Sequence, residues 1–136
     1  MSLRTPLRYP GGKRKLANFV EGLISRNALS GCDYAEPYAG GAGLAVELLR
    51  RGVVDQLWLN DIDKGIAAFW GLVLKQPNLL CEMIEETNVT IEEWNKQKEL
   101  AKSEDPVLRG FATFFLNRTN RSGIIKGGVI GGKKQS

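Results

Sequence analysis

Two segments constrain the fold more than any other part of the chain. They are Tyr34-Ala35-Glu36-Pro37-Tyr38-Ala39-Gly40-Gly41-Ala42-Gly43 and, a strand's length later, Leu59-Asn60-Asp61-Ile62-Asp63. β-prone residues run into a turn whose glycines lack a Cβ, so the backbone there can approach a ligand closely. Leu44 to Arg51 then offer a helix whose N-terminal amides face the same point. Asp61 stands about twenty residues beyond the turn, where a carboxylate can accept hydrogen bonds from both hydroxyls of a bound ribose. Strand, glycine turn, helix, strand and acid together describe half of a nucleoside-cofactor pocket.

The residues around the glycines bear on which cofactor that is. A dinucleotide fingerprint wants G-x-G-x-x-G, whose amides cradle a pyrophosphate. Here Gly40-Gly41-Ala42-Gly43 is followed by Leu44, Ala45 and Val46, and the third glycine of that pattern is absent. Glu36 puts a negative charge just before the turn, which would repel a pyrophosphate but could receive the ammonium of an amino-acid moiety. That favours S-adenosylmethionine over a nicotinamide dinucleotide. On this segment alone, an ordinary βα turn beside a surface acid stays open.

The N-terminus narrows the choice. Arg8-Tyr9-Pro10-Gly11-Gly12-Lys13 is an aromatic residue, a proline and Gly-Gly-Lys; Glu36-Pro37-Tyr38-Ala39-Gly40-Gly41 and Asn60-Asp61-Ile62-Asp63 follow, and Phe114-Phe115-Leu116-Asn117-Arg118-Thr119 comes later. In these motifs, their order and their spacing the chain resembles the D12-type DNA adenine-N6 methyltransferases. The resemblance covers nearly the whole chain.

It implies an α/β, helix-rich, partial Rossmann-like methyltransferase fold dependent on S-adenosylmethionine and acting on double-stranded DNA. Carried over by position, it assigns cofactor contacts to Tyr9 and Lys13 and the ribose hydroxyls to Asp61, with Glu36, Pro37, Tyr38, Gly40 and Gly41 forming the turn of the same pocket. A tyrosine ring can lie against the cofactor, and a lysine ammonium can meet its carboxylate as a point charge. Taken singly, Tyr9 could also be a packing aromatic, Lys13 a solvated helix-start lysine, and Asp63 the cap of the helix that begins near Lys64. The stretch after the L-N-R-T segment leads, in the family, into DNA-contacting loops, which marks Asn117, Arg118, Arg121 and Lys126 as nucleic-acid contacts. Lys126 falls where an arginine is common; a lysine can hold a phosphate but lacks the fork that reads guanine.

One family element is missing. The D-P-P-Y or N-P-P-Y segment, which accepts a hydrogen bond from the target adenine's amino group, has no counterpart. The prolines are Pro6, Pro10, Pro37, Pro77 and Pro106, none adjacent to another. No catalytic residue is therefore assigned, and the polypeptide reads as an N-terminal portion that stops before the catalytic strand and does not methylate DNA by itself. The readings to weigh against it are a non-catalytic module that binds S-adenosylmethionine or nucleic acid, and a dinucleotide-dependent oxidoreductase fragment.

At 136 residues with 43% hydrophobic content, the chain supports one core rather than two. A net charge of +4 and a pI near 9.2 suit a polyanionic partner. There is no histidine, and Cys32 and Cys81 lack metal-ligand spacing. A zinc site and a histidine-based triad are thus not expected. No apolar run is long enough to span a bilayer, and the chain is expected to be cytoplasmic with reduced thiols.

Strands are expected near Asp33 to Glu36 and Gln56 to Asn60, too few for a sheet that stands alone. Helical packing, self-association or the remainder of an enzyme would have to cover the open edge. Lys13 to Arg26 reads as a helix with Leu16, Phe19, Val20, Leu23 and Ile24 against a core. Lys64 to Lys75 follows, then Asn78 to Glu86 after Pro77, a helix capped by Thr90, and one opened by Asp105-Pro106 and running to about Asn117. Residues 1–117 read as the cofactor-binding part with its following helices. Residues 118–136, with five glycines, five Lys/Arg and few large apolar side chains, read as the start of a basic DNA-recognition region or a flexible tail.

Overall fold

The computed structural model describes residues 5–9 and 12–135, so Pro10 and Gly11 of the N-terminal motif and Ser136 lie outside the described residues. It resolves into two compact units, Met1–Asp61 and Ile62–Ser136. The architecture is a helix-rich α/β one, and among the described residues its only sheet has two parallel strands.

In the first unit a short 3-10 helix, Lys13–Leu16, feeds α1 (Ala17–Arg26). Strand β1 (Cys32–Glu36), helix α2 (Gly43–Arg50) and strand β2 (Val54–Leu59) then form a βαβ unit. The strands pair in parallel from Cys32 opposite Val54 to Glu36 opposite Leu59, with one irregularity after Cys32. Leu44, Leu48, Val53 and Val54 are buried with Ala17 and Ile24, and Tyr34 and Leu57 pack against them. Helix α1 meets this core on Ala17, Val20 and Ile24. The expected face is therefore only partly the observed one, because Leu16, Phe19 and Leu23 point outward, Phe19 at 64% exposure. Residues 16, 19 and 23 and residues 17, 20 and 24 both recur at helical spacing, and the small Ala17 is on the stripe that faces the core, with Val20 partly buried.

The second unit is helical: α3 (Lys64–Lys75), α4 (Pro77–Glu86), α5 (Ile91–Leu100) and α6 (Pro106–Thr119). Three expected caps are present. Asp63 accepts from the Gly65 and Ile66 amides, Thr90 from Glu93, and Asp105 from Val107 and Leu108. Asp63 thus resolves as a helix cap. Helix α3 packs on α6 with the Phe69 and Phe114 rings stacked 5.9 Å apart. The helices come close at Gly110, where a Cβ would stand 2.7 Å from the Ala68 carbonyl oxygen and 3.0 Å from the Phe69 nitrogen.

Residues 120–130 are built in a way that composition does not reveal. Few large apolar groups are available, and side-chain amides hold the segment instead. Trp94 donates its indole N–H to the Asn120 Oδ1 at 2.7 Å, and the Asn120 Nδ2 donates to the carbonyls of Ile124 and Ile125. Asn117 donates to the Gly123 carbonyl, and Asn120 pairs with Val129 as an antiparallel bridge. The segment that looked like a tail thus packs into the second unit.

Gly110→Ala should destabilise the chain by about 1–3 kcal/mol through overpacking against backbone atoms, although alanine is the better helix former by about 1 kcal/mol. Urea unfolding followed by circular dichroism measures this. A neutral or stabilising result would mean that α3 and α6 do not approach so closely.

Candidate functional site

The turn between β1 and α2 is held by the end of β2. The Ala39 amide donates to the Asn60 carbonyl at 2.9 Å, the Asn60 side chain donates to the Pro37 carbonyl, and the Gly40 amide donates to Asp61 Oδ2 at 2.8 Å. Gly40 has φ of 51° and Ala42, the N-cap of α2, has φ of 47°, both left-handed. Glycine adopts that region at no steric cost, whereas an alanine there carries strain, a feature found at ligand clamps and switch regions. The ring of Tyr9 closes over the glycines. A Cβ on Gly40 would stand 2.8 Å from Tyr9 Cε1, and one on Gly41 2.9 Å from Tyr9 Cβ.

Beside this turn lies a cavity of about 500 Å³, lined in part by Tyr9, Lys13, Tyr38 and Gly41. That volume is within the usual range for a small-molecule site. Lys13 donates its ammonium to the Tyr38 carbonyl at 2.8 Å and stands 3.6 Å from Glu36 Oε2. Glu36 is 3% exposed; the Tyr34 hydroxyl lies at 3.5 Å from its Oε1, and its Oε2 has no hydrogen-bond partner. Burial pushes the Glu36 carboxyl above its ordinary pKa, with the Lys13 charge pulling the other way. The Tyr34 hydroxyl is also raised, by burial first and then by the Glu36 charge.

Sequence reasoning passed over a second feature of this cavity. Its lining includes Arg14, Lys15 and Arg51. The buried Glu47 ties two of these together, 3.3 Å from Arg14 and 2.9 Å from Arg51, with Arg50 at 3.9 Å. The Arg51 hydrogen bond, aided by Arg14 and Arg50, holds the Glu47 carboxyl below the usual range. The i,i+4 spacing of Glu47 and Arg51 was the available signal. Arg14 comes from a different element and carried none.

Of the sequence-selected residues in the first unit, Tyr9, Lys13, Tyr38 and Gly41 therefore line one cavity. Gly40 lies beneath Tyr9, Glu36 behind Lys13, Asp61 on the Gly40 amide, and Pro37 offers its carbonyl to Asn60. The residues selected for nucleic acid fall in the second unit, where Arg118, Arg121 and Lys126 are exposed. Asn117 is a correction. It is fully buried and its amide is committed to the Gly123 carbonyl, so it positions the loop instead of touching a duplex.

Among the described residues there is no group of His, Cys, Asp and Glu side chains able to hold a metal, and no helix long and apolar enough to cross a membrane. Glu36→Gln tests the electrostatics directly. With a raised folded pKa, the buried carboxyl costs stability increasingly as pH rises from its ordinary value of 4.5 toward the folded value. The stability of the glutamine variant relative to the parent should therefore grow with pH over that window and stay level below it, measured by urea unfolding. A pH-independent difference would mean that Lys13 fully offsets the burial.

Residues 9–126 match the family model described as D12 class N6 adenine-specific DNA methyltransferase. No curated protein matches the chain.

Proposed function

The chain belongs to the D12 class N6 adenine-specific DNA methyltransferase family, and from that premise we propose that its first unit is the S-adenosylmethionine-binding part of a Rossmann-like methyltransferase fold whose methyl acceptor is adenine N6 in duplex DNA. The observation that supports this best is the convergence of three separate motifs at one turn, with Tyr9 over Gly40, Lys13 beside Glu36, and Asp61 on the Gly40 amide.

The donor set fits an amino-acid nucleoside. An ammonium has three donors; Lys13 gives one to Tyr38 and faces Glu36, and a further one can meet the cofactor carboxylate. Glu36 Oε2, buried without a hydrogen-bond partner, can accept from the cofactor's ammonium. An ionised carboxylate has about four lone-pair sites, so Asp61 can accept from ribose hydroxyls as well as from the Gly40 amide. Tyr9 and Tyr38 supply aromatic surface, Tyr38 with 74% of its own surface still exposed. When bound, S-adenosylmethionine supplies a sulfonium methyl as electrophile. The protein's contribution is to hold it in register and keep its charged ends paired.

Calorimetry should show S-adenosylmethionine or its demethylated product binding in preference to NAD. Asp61→Ala should weaken that binding by roughly 1.5–3 kcal/mol, and Asp61→Asn, which keeps an acceptor for Gly40, should weaken it less. Gly40→Val should abolish binding in a folded protein, because a β-branched residue at φ of 51° would also strike Tyr9. Tighter NAD binding, or normal binding by Gly40→Val, would overturn the cofactor assignment.

In the reaction the target adenine leaves the base stack, and its amine needs a hydrogen-bond acceptor beside the transferred methyl. The 136 residues contain no D-P-P-Y or N-P-P-Y run to provide one. Loss of a positioned polar group of this kind costs about 10²–10³ in rate. The purified polypeptide should therefore bind DNA through groups such as Arg118, Arg121 and Lys126 but transfer no tritiated methyl from S-adenosylmethionine to unmethylated DNA. Sustained turnover would show that another residue accepts from the amine.

A further inference from the structure

A second cavity of about 500 Å³ lies wholly within the second unit, and its charge is one-sided. Lys64 from the start of α3, Lys98 from α5, Lys102 just beyond α5, Arg109 from α6 and Lys126 from the following loop all line it; Asp63 is its one acid. Asp63 Oδ1 is occupied by the Gly65 and Ile66 amides. Lys64, Lys98 and Lys126 have no carboxylate within ion-pair reach among the described residues. Lys98 instead stands 4.7 Å from the centre of the Trp94 ring, which keeps a cation's charge intact. Among the described residues, Lys102 and Arg109 pair with the exposed acids Glu99 and Glu104. The exposed Lys102–Glu99 pair is worth about 0–1 kcal/mol, and the mostly covered Arg109 meets an acid that is itself 90% exposed.

We infer that this groove is a binding track for the sugar-phosphate backbone of DNA, built by Lys64, Lys98, Lys102, Arg109 and Lys126. The inference rests on the DNA reading above and assigns that partner a surface of which sequence motifs marked Lys126 alone. Five cations drawn from separate segments cannot all be met by one small anion, whereas phosphates repeated along a strand can meet several in turn. The groove offers side chains suited to phosphate and few to a base edge, so it contributes affinity without sequence preference.

The experiment compares the 136-residue parent with two matched double variants in fluorescence-anisotropy titrations of a short labelled duplex at several salt concentrations. Lys64→Gln with Lys98→Gln removes two groove cations. Lys75→Gln with Lys96→Gln removes the same charge from the same two helices outside the groove. The groove variant should lose roughly tenfold in affinity per lysine at about 0.1 M salt, and its log–log salt slope should shrink by about one per lysine. The control should move far less, and Lys126→Gln alone should reproduce a single-contact loss. Equal losses in the two double variants, or no DNA binding by the parent, overturn the inference. S-adenosylmethionine binding is measured on the same proteins: equal DNA losses with cofactor binding intact remove the groove alone, whereas a parent that binds no cofactor removes the reading beneath it.

Discussion

Gly40 has left-handed backbone geometry, and its amide donates to Asp61 at the far end of the neighbouring strand. Much of the first unit's turn depends on that contact. Parallel pairing of β1 with β2 brings Glu36 opposite Leu59, which carries Asn60 and Asp61 to the level of the turn. Asn60 and Asp61 can then tie down three points of the turn, the Pro37 carbonyl, the Ala39 amide and the Gly40 amide. With the turn so held, the glycines leave room for the Tyr9 ring, and Lys13 reaches both the Tyr38 carbonyl and the buried Glu36. The acid that sequence spacing marks as a ligand-binding group is also the group that shapes the turn.

The second unit solves a different problem by related means. A glycine-rich segment with few large apolar groups has little to bury, yet residues 120–130 are given a defined path by Asn117, Asn120 and the Trp94 indole. Buried amides of this kind stabilise only when their partners are satisfied, because an orphaned donor in a low-dielectric interior costs more than the bond returns. The path leaves Arg121 and Lys126 at the surface, on a loop whose positions are set from inside.

What could be read from the sequence follows from the range of the physics involved. Caps at Asp63, Thr90 and Asp105 involve two or three residues of separation, and each appears where spacing placed it. The βαβ order was legible because the alternation of strand and glycine turn is local. The face of α1 was not, since stripes through Phe19 and through Ala17 are equally helical and only the three-dimensional neighbours choose between them. Arg14 with Glu47, and Trp94 with Asn120, join residues 33 and 26 positions apart, and no local pattern announces them. Asn117 was found by motif but given the wrong task, because a motif fixes a residue's importance before it fixes which side of the surface it serves.

A net charge of +4 understates how unevenly the cations are used. Arg14, Arg50, Arg51 and Arg109 each meet a carboxylate, and three of them converge on the single buried Glu47. A planar guanidinium offers several donors in a fixed fork and is less strongly hydrated than an ammonium, so it is the better side chain to commit to a partly buried pair. Lys64, Lys98 and Lys126 form no ion pair among the described residues, Lys98 acting on Glu99 only at longer range. When such lysines meet a polyanion, the counter-ions released are those condensed on the polyanion. Binding by this surface is consequently governed by the lysines left without partners more than by the total of basic residues, and its strength falls with salt in proportion to how many of them a strand of phosphates can reach at once.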